Sequence, residues 1–469
     1  MATEELTHTP LAQGSIAELA QAMRGELIVP GDPGYHEARR IWNGVHDRHP
    51  ALIARCAGVA DVVRAIEFAR SEELVVAVRG GAHSIPGFST VDGGIVIDLS
   101  PMNAVRVDPE SRTALAQAGT TWSQFDHETQ AFGLATTGGL VSSTGIAGFT
   151  LGGGIGWLMR KHGLTADNLL AADVVTADGC LVRASEHENP ELFWGLRGGG
   201  GNFGIVTSFE YRLHPVGPIV TAGPIFYPGD RAGEILRFYR DWVAEAPDEL
   251  TTLVNLLTAP PAPFLPEEWH GKPLVAIIGM HAGSIEDGER AMRPLRELGD
   301  PVADLIGPIP YAAMQSLIDP LWGPGAHSYF KAGWLGGLDD AAIDTLIRHR
   351  DTVTSPKSEI HIQHVGGAVA RVPADATAFG ERSAPFLLNV IASTFTADGY
   401  DDAVSWAQGL YGAMSPALTG GTYVNFLSAE GDERVRAAYG DKYGRLVALK
   451  DEYDPTNLFR LNQNIAPSA

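Results

Sequence analysis

Residues 74–84 read Leu-Val-Val-Ala-Val-Arg-Gly-Gly-Ala-His-Ser, and this stretch decides how the first half of the chain folds. The apolar, largely β-branched run 74–78 predicts a short buried strand. The two glycines that follow allow the backbone to approach another group closely, because glycine has no Cβ. Backbone N–H groups in such a loop form a concave site for an anion. The stretch therefore predicts a strand that delivers His83 to the edge of a ligand site.

Three further glycine-rich segments follow, at 138–145, 148–156 and 198–204. Turns alone would explain one such cluster, but four clusters indicate a bound ligand. No cluster is followed by Gly-Lys-Ser/Thr, which excludes a P-loop. Segment 199–204 matches Gly-x-Gly-x-x-Gly, yet it follows a helix-like stretch and precedes a strand-like one, the reverse of a dinucleotide-binding fingerprint. A pyrophosphate-bearing cofactor cradled by several loops remains.

Composition excludes several classes of function. The 469 residues include 55 glycines, and 34 basic residues stand against 56 acidic ones, a net charge of −22. A nucleic-acid binder or a protein that binds anionic membranes needs a positive surface, so neither is expected. Cys56 and Cys180 are too few for a disulfide framework or a thiolate metal cage. No apolar run is long enough to cross a bilayer, and residues 1–10 lack the features of a secretory signal, so we expect a cytoplasmic protein.

The composition and the predicted secondary structure of the sequence change near residues 217 and 410. Short strands at 74–78, 95–99 and 113–118, a helix at 122–131 and a hairpin at 171–183 are predicted before the first change. Longer helices at 232–244, 287–297 and 341–350, with a strand at 274–280, are predicted after it. Beyond residue 410 a strand at 422–427 and a helix at 433–439 are predicted. We therefore expect a second α+β domain over 217–410.

Three parts of the chain resemble, in the same order, the berberine bridge enzyme-like flavoproteins of the vanillyl-alcohol oxidase group. They are the histidine stretch, the block Leu-Phe-Trp-Gly-Leu-Arg-Gly-Gly-Gly-Gly-Asn-Phe-Gly-Ile-Val at 192–206 and the tail Tyr-Asp-Pro-Thr-Asn-Leu-Phe-Arg-Leu-Asn-Gln-Asn-Ile at 453–465. The resemblance is nearest to bacterial members that tailor secondary metabolites. It implies an α+β, two-domain vanillyl-alcohol oxidase/PCMH-type fold. The FAD-binding domain would comprise 1–216, with its PCMH-type core at about 47–216, and 411–469; the inserted substrate domain would comprise 217–410.

The resemblance also implies that His83 carries FAD through an 8α-histidyl bond. Val141 stands where many members have a second, cysteinyl link, so the attachment should be monocovalent. Phe149 replaces a histidine near the pyrimidine edge, and Thr144 occupies the position that governs oxygen access, which favours an oxidase. The expected FAD contacts are His83, Arg79, Gly80, Gly81, Ala82, Ser84, Gly119, Gly139, Val141, Ser142, Thr144, Gly145, Gly148, Phe149, Gly153, Gly204, Val206, Tyr423, Asn462 and Asn464.

The substrate side is predicted on the strand 359–365. With a period of two residues, Glu359, His361 and Gln363 share one face, which would face either a cavity or solvent. By resemblance the plant-type enzymes hold a glutamate base at the position of Gln363, which cannot take a proton. Glu359 and His361 therefore remain as alternative bases, with Gln363 and Thr144 as further catalytic candidates. No metal site is expected, because the two histidines of this strand are wrongly phased for one.

The expected activity is oxidation of a small aromatic or polyketide-like molecule by hydride transfer to flavin N5, followed by reoxidation by dioxygen to give hydrogen peroxide. Phe426 lies where sugar-oxidising members have a tyrosine base, which argues against a carbohydrate oxidase. That oxidase and a flavin-binding protein without turnover remain the alternatives. The expected partners are the small-molecule substrate and dioxygen, with no nucleic acid and no membrane, in a monomer or homodimer.

Overall fold

A computed structural model of the chain describes residues 11–468, which form an α+β protein of two domains. The fold class predicted from the sequence is thereby confirmed. Residues 1–10, for which we expect no secretory signal, lie outside the described residues. No helix among residues 11–468 has both the length and the apolarity that crossing a bilayer requires. The domain boundaries at 216/217 and 410/411 stay predictions.

The strands in chain order are β1 (Glu26–Ile28), β2 (Leu52–Arg55), β3 (Val76–Arg79), β4 (Ile95–Asp98), β5 (Val105–Asp108), β6 (Thr113–Gln117), β7 (Leu134–Ala135), β8 (Leu169–Val175), β9 (Leu181–Ser185), β10 (Ile205–Arg212), β11 (His214–Pro215), β12 (Ile219–Pro228), β13 (Leu250–Thr258), β14 (Pro273–His281), β15 (Ala303–Asp304), β16 (Gly307–Pro310), β17 (His327–Leu335), β18 (Glu359–His364) and β19 (Phe386–Thr394).

The helices are α1 (Gln13–Ala22), α2 (Tyr35–Ala38), α3 (Val59–Ser71), α4 (Trp122–Gln130), α5 (Ile146–Leu151), α6 (Met159–His162), α7 (Pro190–Leu196), α8 (Ala232–Val243), α9 (Ile285–Glu297), α10 (Tyr311–Gln315), α11 (Asp340–Arg350), α12 (Ala368–Arg371), α13 (Tyr400–Ala413), α14 (Asp432–Tyr439) and α15 (Tyr443–Tyr453).

The first part of the chain forms two sheets. In the four-stranded sheet, with order β1-β2-β4-β3, β4 runs parallel to both β2 and β3. All four residues of β4 are buried, as expected for a strand covered on both faces. The five-stranded sheet is antiparallel, with order β5-β6-β10-β8-β9, and contains the predicted hairpin as β8 and β9.

An eight-stranded antiparallel sheet forms from strands that all lie between residues 219 and 394. Its order is β15-β12-β14-β13-β18-β19-β17, with β16 also paired to β12. Residues of α8, α11 and α13 form one hydrophobic core with Ile360 and Ile362 of β18. Because side chains alternate along a strand, His361 and Gln363 of β18 point away from these helices.

The last part of the described chain returns to the first domain. Lys450 of α15 donates to the carbonyl of Asn202, and the side-chain oxygen of Asn202 accepts from the backbone nitrogen of Ile465. The strand predicted at 422–427 is wrong, because Val424–Phe426 is a single turn of 3-10 helix. The backbone turns there since the hydroxyl of Tyr423 bonds inward to backbone nitrogens of the 148–156 segment.

Candidate active site

A large cavity lies between the glycine-rich loops of the first domain and the inner face of the eight-stranded sheet. Most of its lining comes from six parts of the chain, within residues 76–89, 139–155, 200–206, 361–391, 424–426 and 459–463, and the rest is Trp42, Leu99, Ile318, Trp322, Phe330 and Tyr439. All four glycine-rich segments found in the sequence, the histidine stretch among them, thus contribute residues to the lining of one cavity. The cavity is therefore the candidate active site.

The histidine loop is anchored from behind by a buried ion pair. Arg79 ends β3 directly opposite Asp98 of β4. Nη2 of Arg79 donates to Oδ2 of Asp98 over 2.7 Å, and both side chains are buried. Two residues later the backbone meets the next glycine segment so closely that a Cβ on Gly81 would lie 2.2 Å from the nitrogen of Gly145. Ala82 then takes a positive φ of 58°, which turns the chain toward the cavity.

His83 lines the cavity in a neutral, oriented state. Its Nε2 lies 3.0 Å from Oγ of Ser143, and its Nδ1 lies 3.4 Å from Oγ1 of Thr144. The indole of Trp42 stacks on the imidazole, with ring centroids 5.2 Å apart and planes inclined by 24°. Burial lowers the pKa of His83 to about 4, so the ring is uncharged near pH 7. A neutral imidazole has a free electron pair and can act as a nucleophile.

The glycine segments leave room for a ligand with phosphate groups. Gly148 and Gly201 line the cavity, and apart from the residues adjacent to each glycine along the chain and the helix backbone around Gly148, no atom of residues 11–468 lies within 4 Å of the position of a Cβ on either one. Asn462 also lines the cavity, and its Oδ1 is buried without a hydrogen-bond partner among the described residues. Buried polar atoms are normally hydrogen-bonded, so a bound group is expected there. These residues fit FAD, because backbone N–H groups can bind the pyrophosphate of FAD without help from lysine or arginine.

The wall formed by the eight-stranded sheet carries a row of polar side chains. His361 of β18 lies directly opposite Asn255 of β13 and Asn389 of β19. His361, Asn389 and Gln363 line the cavity. Both amide atoms of Gln363 and Oδ1 of Asn389 are buried and have no hydrogen-bond partner among residues 11–468. These atoms are available to a second molecule bound beside the cofactor.

Glu359 lies behind His361 rather than in the cavity. Its Oε2 accepts from Nε2 of His361 over 2.8 Å and from Nδ2 of Asn255 over 2.8 Å. In the neutral ring, donation to Glu359 puts the imidazole proton on Nε2 and leaves the electron pair on Nδ1, which has no hydrogen-bond partner in the described part of the chain. The geometry is that of a base held and oriented by a carboxylate.

Aromatic rings form the remaining walls beside His361. Nε1 of Trp42 donates to the backbone carbonyl of Trp322 over 2.9 Å, which ties the Trp42 ring to the segment that carries Trp322. Trp322 meets His361 edge-on, with ring centroids 6.1 Å apart. Phe330 and Phe426 meet in a T-shaped contact at 5.9 Å. This part of the cavity is suited to a planar apolar ligand.

The structure brings many of the expected site residues together. Those that line the cavity are His83, Gly80, Gly81, Ala82, Ser84, Gly139, Val141, Thr144, Gly145, Gly148, Phe149, Gly204, Val206, His361, Gln363 and Asn462. Those that do not line it are Arg79, Gly119, Ser142, Gly153, Glu359, Tyr423 and Asn464. Lining residues that sequence reasoning missed include Trp42, Trp322, Phe330 and Asn389.

Two of the excluded residues use their polar atoms elsewhere. The nitrogen and hydroxyl of Ser142 both donate to Asp319, over 2.8 and 2.5 Å. The hydroxyl of Tyr423 accepts from the nitrogens of Gly154 and Ile155, and burial raises its pKa to about 12. Both side chains support the loops from outside the cavity.

Gly119 and Gly153, which also do not line the cavity, are held by packing. Gly119 lies against the carbonyl of Leu99, and Gly153 lies against the ring of Phe379. Oδ1 of Asn464 is buried and has no partner among the described residues, although Asn464 does not line the cavity. These positions therefore shape the segments that carry the lining residues.

The comparisons with known proteins agree with this geometry. The family model described as "FAD binding domain" matches residues 50–185, and the model described as "Berberine and berberine like" matches residues 422–466. An uncharacterized FAD-linked oxidoreductase of Bacillus subtilis (strain 168) is 30% identical over 95% of this chain and 97% of its own length. The (R)-6-hydroxynicotine oxidase of Paenarthrobacter nicotinovorans is 31% identical over 95% and 97%.

A solved structure gives the same result in three dimensions. The crystal structure of 6-hydroxy-D-nicotine oxidase from Arthrobacter nicotinovorans superimposes with a TM-score of 0.86. The match covers 95% of this chain and 98% of that chain, at 30% identity.

Proposed function

We propose that this chain, which belongs to the berberine-like FAD-linked oxidoreductases, is an oxidase that holds FAD covalently through His83 and oxidises a small hydroxylated aromatic molecule. The observation that carries the proposal is the pair Glu359–His361, which presents an oriented base in the same cavity that the histidine loop lines. A base at that place has a role only if a substrate binds beside it.

The proposed link to FAD rests on the state of His83. Its neutral imidazole can form a bond to the 8α carbon of the flavin. Ser143 holds one ring nitrogen, and the stacked Trp42 fixes the ring plane. Val141 lines the cavity but has no thiol, so we propose a single covalent link.

The proposed base is His361. The hydroxyl of the substrate would give its proton to Nδ1 while a C–H bond on a carbon attached to the ring breaks to release the hydride, and the Glu359 carboxylate would stabilise the imidazolium that results. Glu359 does not line the cavity and is therefore a positioning residue. FAD, when bound, would accept the hydride at N5 and pass the electrons to dioxygen as hydrogen peroxide. Thr144, a small residue of the lining, would leave space for dioxygen.

The related hydroxynicotine oxidases are named for a substrate with a hydroxylated aromatic ring, which supports an aromatic substrate here. The aromatic walls formed by Trp42, Trp322 and Phe330 favour the same class. Phe426 also lines the cavity and has no hydroxyl that could serve as a base for a sugar. A panel of phenols and oligosaccharides, screened for peroxide release, compares the two substrate classes directly.

Acid precipitation tests the link. In the wild-type protein the yellow colour should stay with the precipitate, and the flavin should be found by mass on the peptide that contains His83. His83→Ala should release the colour into the supernatant, whereas His187→Ala, at an exposed histidine, should not. Colour that stays with the His83→Ala precipitate, or a protein without flavin that still oxidises its substrate, would contradict the proposal.

A further inference from the structure

The cavity is lined without any formally charged side chain. Among the lining residues, all of which fall within residues 42–463, none is Asp, Glu, Lys or Arg. The lining is instead apolar or glycine, with hydroxyl, carboxamide, indole, phenol and imidazole groups. Backbone N–H groups of the glycine loops can bind the pyrophosphate of FAD, but the backbones of β18 and β19 are paired with each other in the sheet and offer only side chains to a substrate. A charged substrate beside His361 therefore loses its hydration and finds no counter-ion.

The charged groups nearest to this wall are already engaged outside the lining. Glu359 accepts from His361 and Asn255, and Asp319 accepts from the nitrogen and hydroxyl of Ser142. Nζ of Lys357 donates to a backbone carbonyl over 2.7 Å. These partners leave Glu359, Asp319 and Lys357 poorly suited to pair with a charged substrate.

The carboxamides of the wall set a pattern of donors and acceptors. Gln363 offers one acceptor and one donor, both buried and unpartnered in the described chain, and Asn389 offers an acceptor in the same state. Nδ1 of His361 can accept a hydrogen bond from one further donor. To pair with all four of these atoms, a ligand must have a hydroxyl group, two further N–H or O–H donors and one carbonyl acceptor. A hydroxyl and a primary amide on one ring supply this set.

We propose, resting on the proposed function, that the substrate is an electrically neutral hydroxyarene with a primary amide substituent and, attached to the ring, a carbon whose C–H bond supplies the hydride, and that Gln363 and Asn389 select it by pairing with the amide. The site excludes both carboxylate and ammonium analogues of the same shape. A charged analogue would bind with its own charge unpaired, whereas the neutral molecule satisfies the hydrogen bonds of both carboxamides, so the site selects by charge.

Three probes of nearly equal shape test the proposal. They are 3-hydroxybenzamide, 3-hydroxybenzoate and 3-(aminomethyl)phenol, which are neutral, anionic and cationic near pH 7. Binding to the oxidised holoenzyme is measured from the change in flavin absorbance and from quenching of the lining tryptophans Trp42 and Trp322. We expect 3-hydroxybenzamide to bind at least ten-fold more tightly than either ion. Equal or tighter binding of an ion, or no saturable binding of the amide, overturns the proposal.

Variants at Gln363 give a second measurement. Gln363→Glu places a carboxylate in the wall and should strengthen binding of 3-(aminomethyl)phenol at least ten-fold while weakening that of the amide. Gln21→Glu makes the same charge change at an exposed position and should leave all three affinities unchanged. Gln363→Met keeps the wall neutral and should weaken only the amide; if Gln363→Glu does not fold, this variant decides.

The probes also separate this proposal from the proposed function. Their affinities are measured without turnover, so the order of binding can fail while phenols still reduce the flavin. Conversely, if no phenol reduces the flavin but the amide binds as expected, the oxidase proposal fails and the charge selection stands as a property of a binding site.

Discussion

The bond between Glu359 and His361 makes a sharp prediction about catalysis. Glu359→Gln keeps the size of the side chain and removes its charge. A hydrogen bond to a charged group contributes about 1.5–3 kcal/mol, against roughly 1 kcal/mol for a neutral one, so roughly 0.5–2 kcal/mol of support for the imidazolium is lost. Since 1.36 kcal/mol corresponds to a factor of ten, kcat should fall roughly 2- to 30-fold.

His361→Asn removes the base itself and should lower kcat by roughly 10²- to 10⁴-fold. Because Glu359 acts only through His361, the double variant should be no worse than His361→Asn alone. The KM of Glu359→Gln should stay near the wild-type value, since Glu359 does not line the cavity.

The assay combines anaerobic stopped-flow reduction of the flavin with peroxide release, using the most active phenol of the screen. Glu267→Gln, at an exposed glutamate, is the matched control and should behave as wild type. Flavin content after acid precipitation shows that each variant is loaded equally. The reasoning is refuted if the losses of the two single variants add in the double variant, or if Glu359→Gln is as damaging as His361→Asn.

Three further predictions concern stability and assembly. The rings of His162 and His214 stack at 3.8 Å, and burial lowers their pKa values to about 3 and 4. The unfolded chain therefore binds more protons than the folded one below about pH 6.5, so the free energy of unfolding should decrease as the pH is lowered. Urea titrations at pH 7, 6 and 5 should show a decrease of up to roughly 2.7 kcal/mol per pH unit from this pair, and a smaller decrease in His162→Phe. Lys450→Met should cost about 3–5 kcal/mol in the same titration at pH 7, because it leaves the buried Asp454 carboxylate, 2.6 Å from Nζ, without its partner. Gly81→Ala should prevent flavin retention, measured as absorbance per chain after purification, because its Cβ would meet the neighbouring backbone at 2.2 Å.

The sequence was most informative where local patterns carry the signal. The glycine-rich loops after short strands, the alternation along 359–364 and the long tail predicted the α+β fold and pointed to segments that the structure brings to one cavity. These features depend on neighbouring residues, which a sequence displays directly.

Side-chain direction could not be predicted in the same way. Arg79 was expected as a cofactor contact, but its side chain is held by Asp98, and the hydroxyl of Tyr423 turns toward the 148–156 segment. Both outcomes depend on strand pairing and loop packing between distant segments. Asn389 could have been found, since it is a lone carboxamide in the apolar stretch 386–392. Trp42 and Trp322 carry no such signal, because only the tertiary fold brings them together.

The wall supplied by residues 459–463 has a consequence for biosynthesis. During translation the glycine loops emerge first, and the sheet that carries His361 emerges later. Until residues 459–463 have left the ribosome, one side of the cavity stays open and Asn202 lacks its bond to Ile465. We therefore expect cofactor capture to follow synthesis of this wall, and a nascent chain stalled before it to remain colourless.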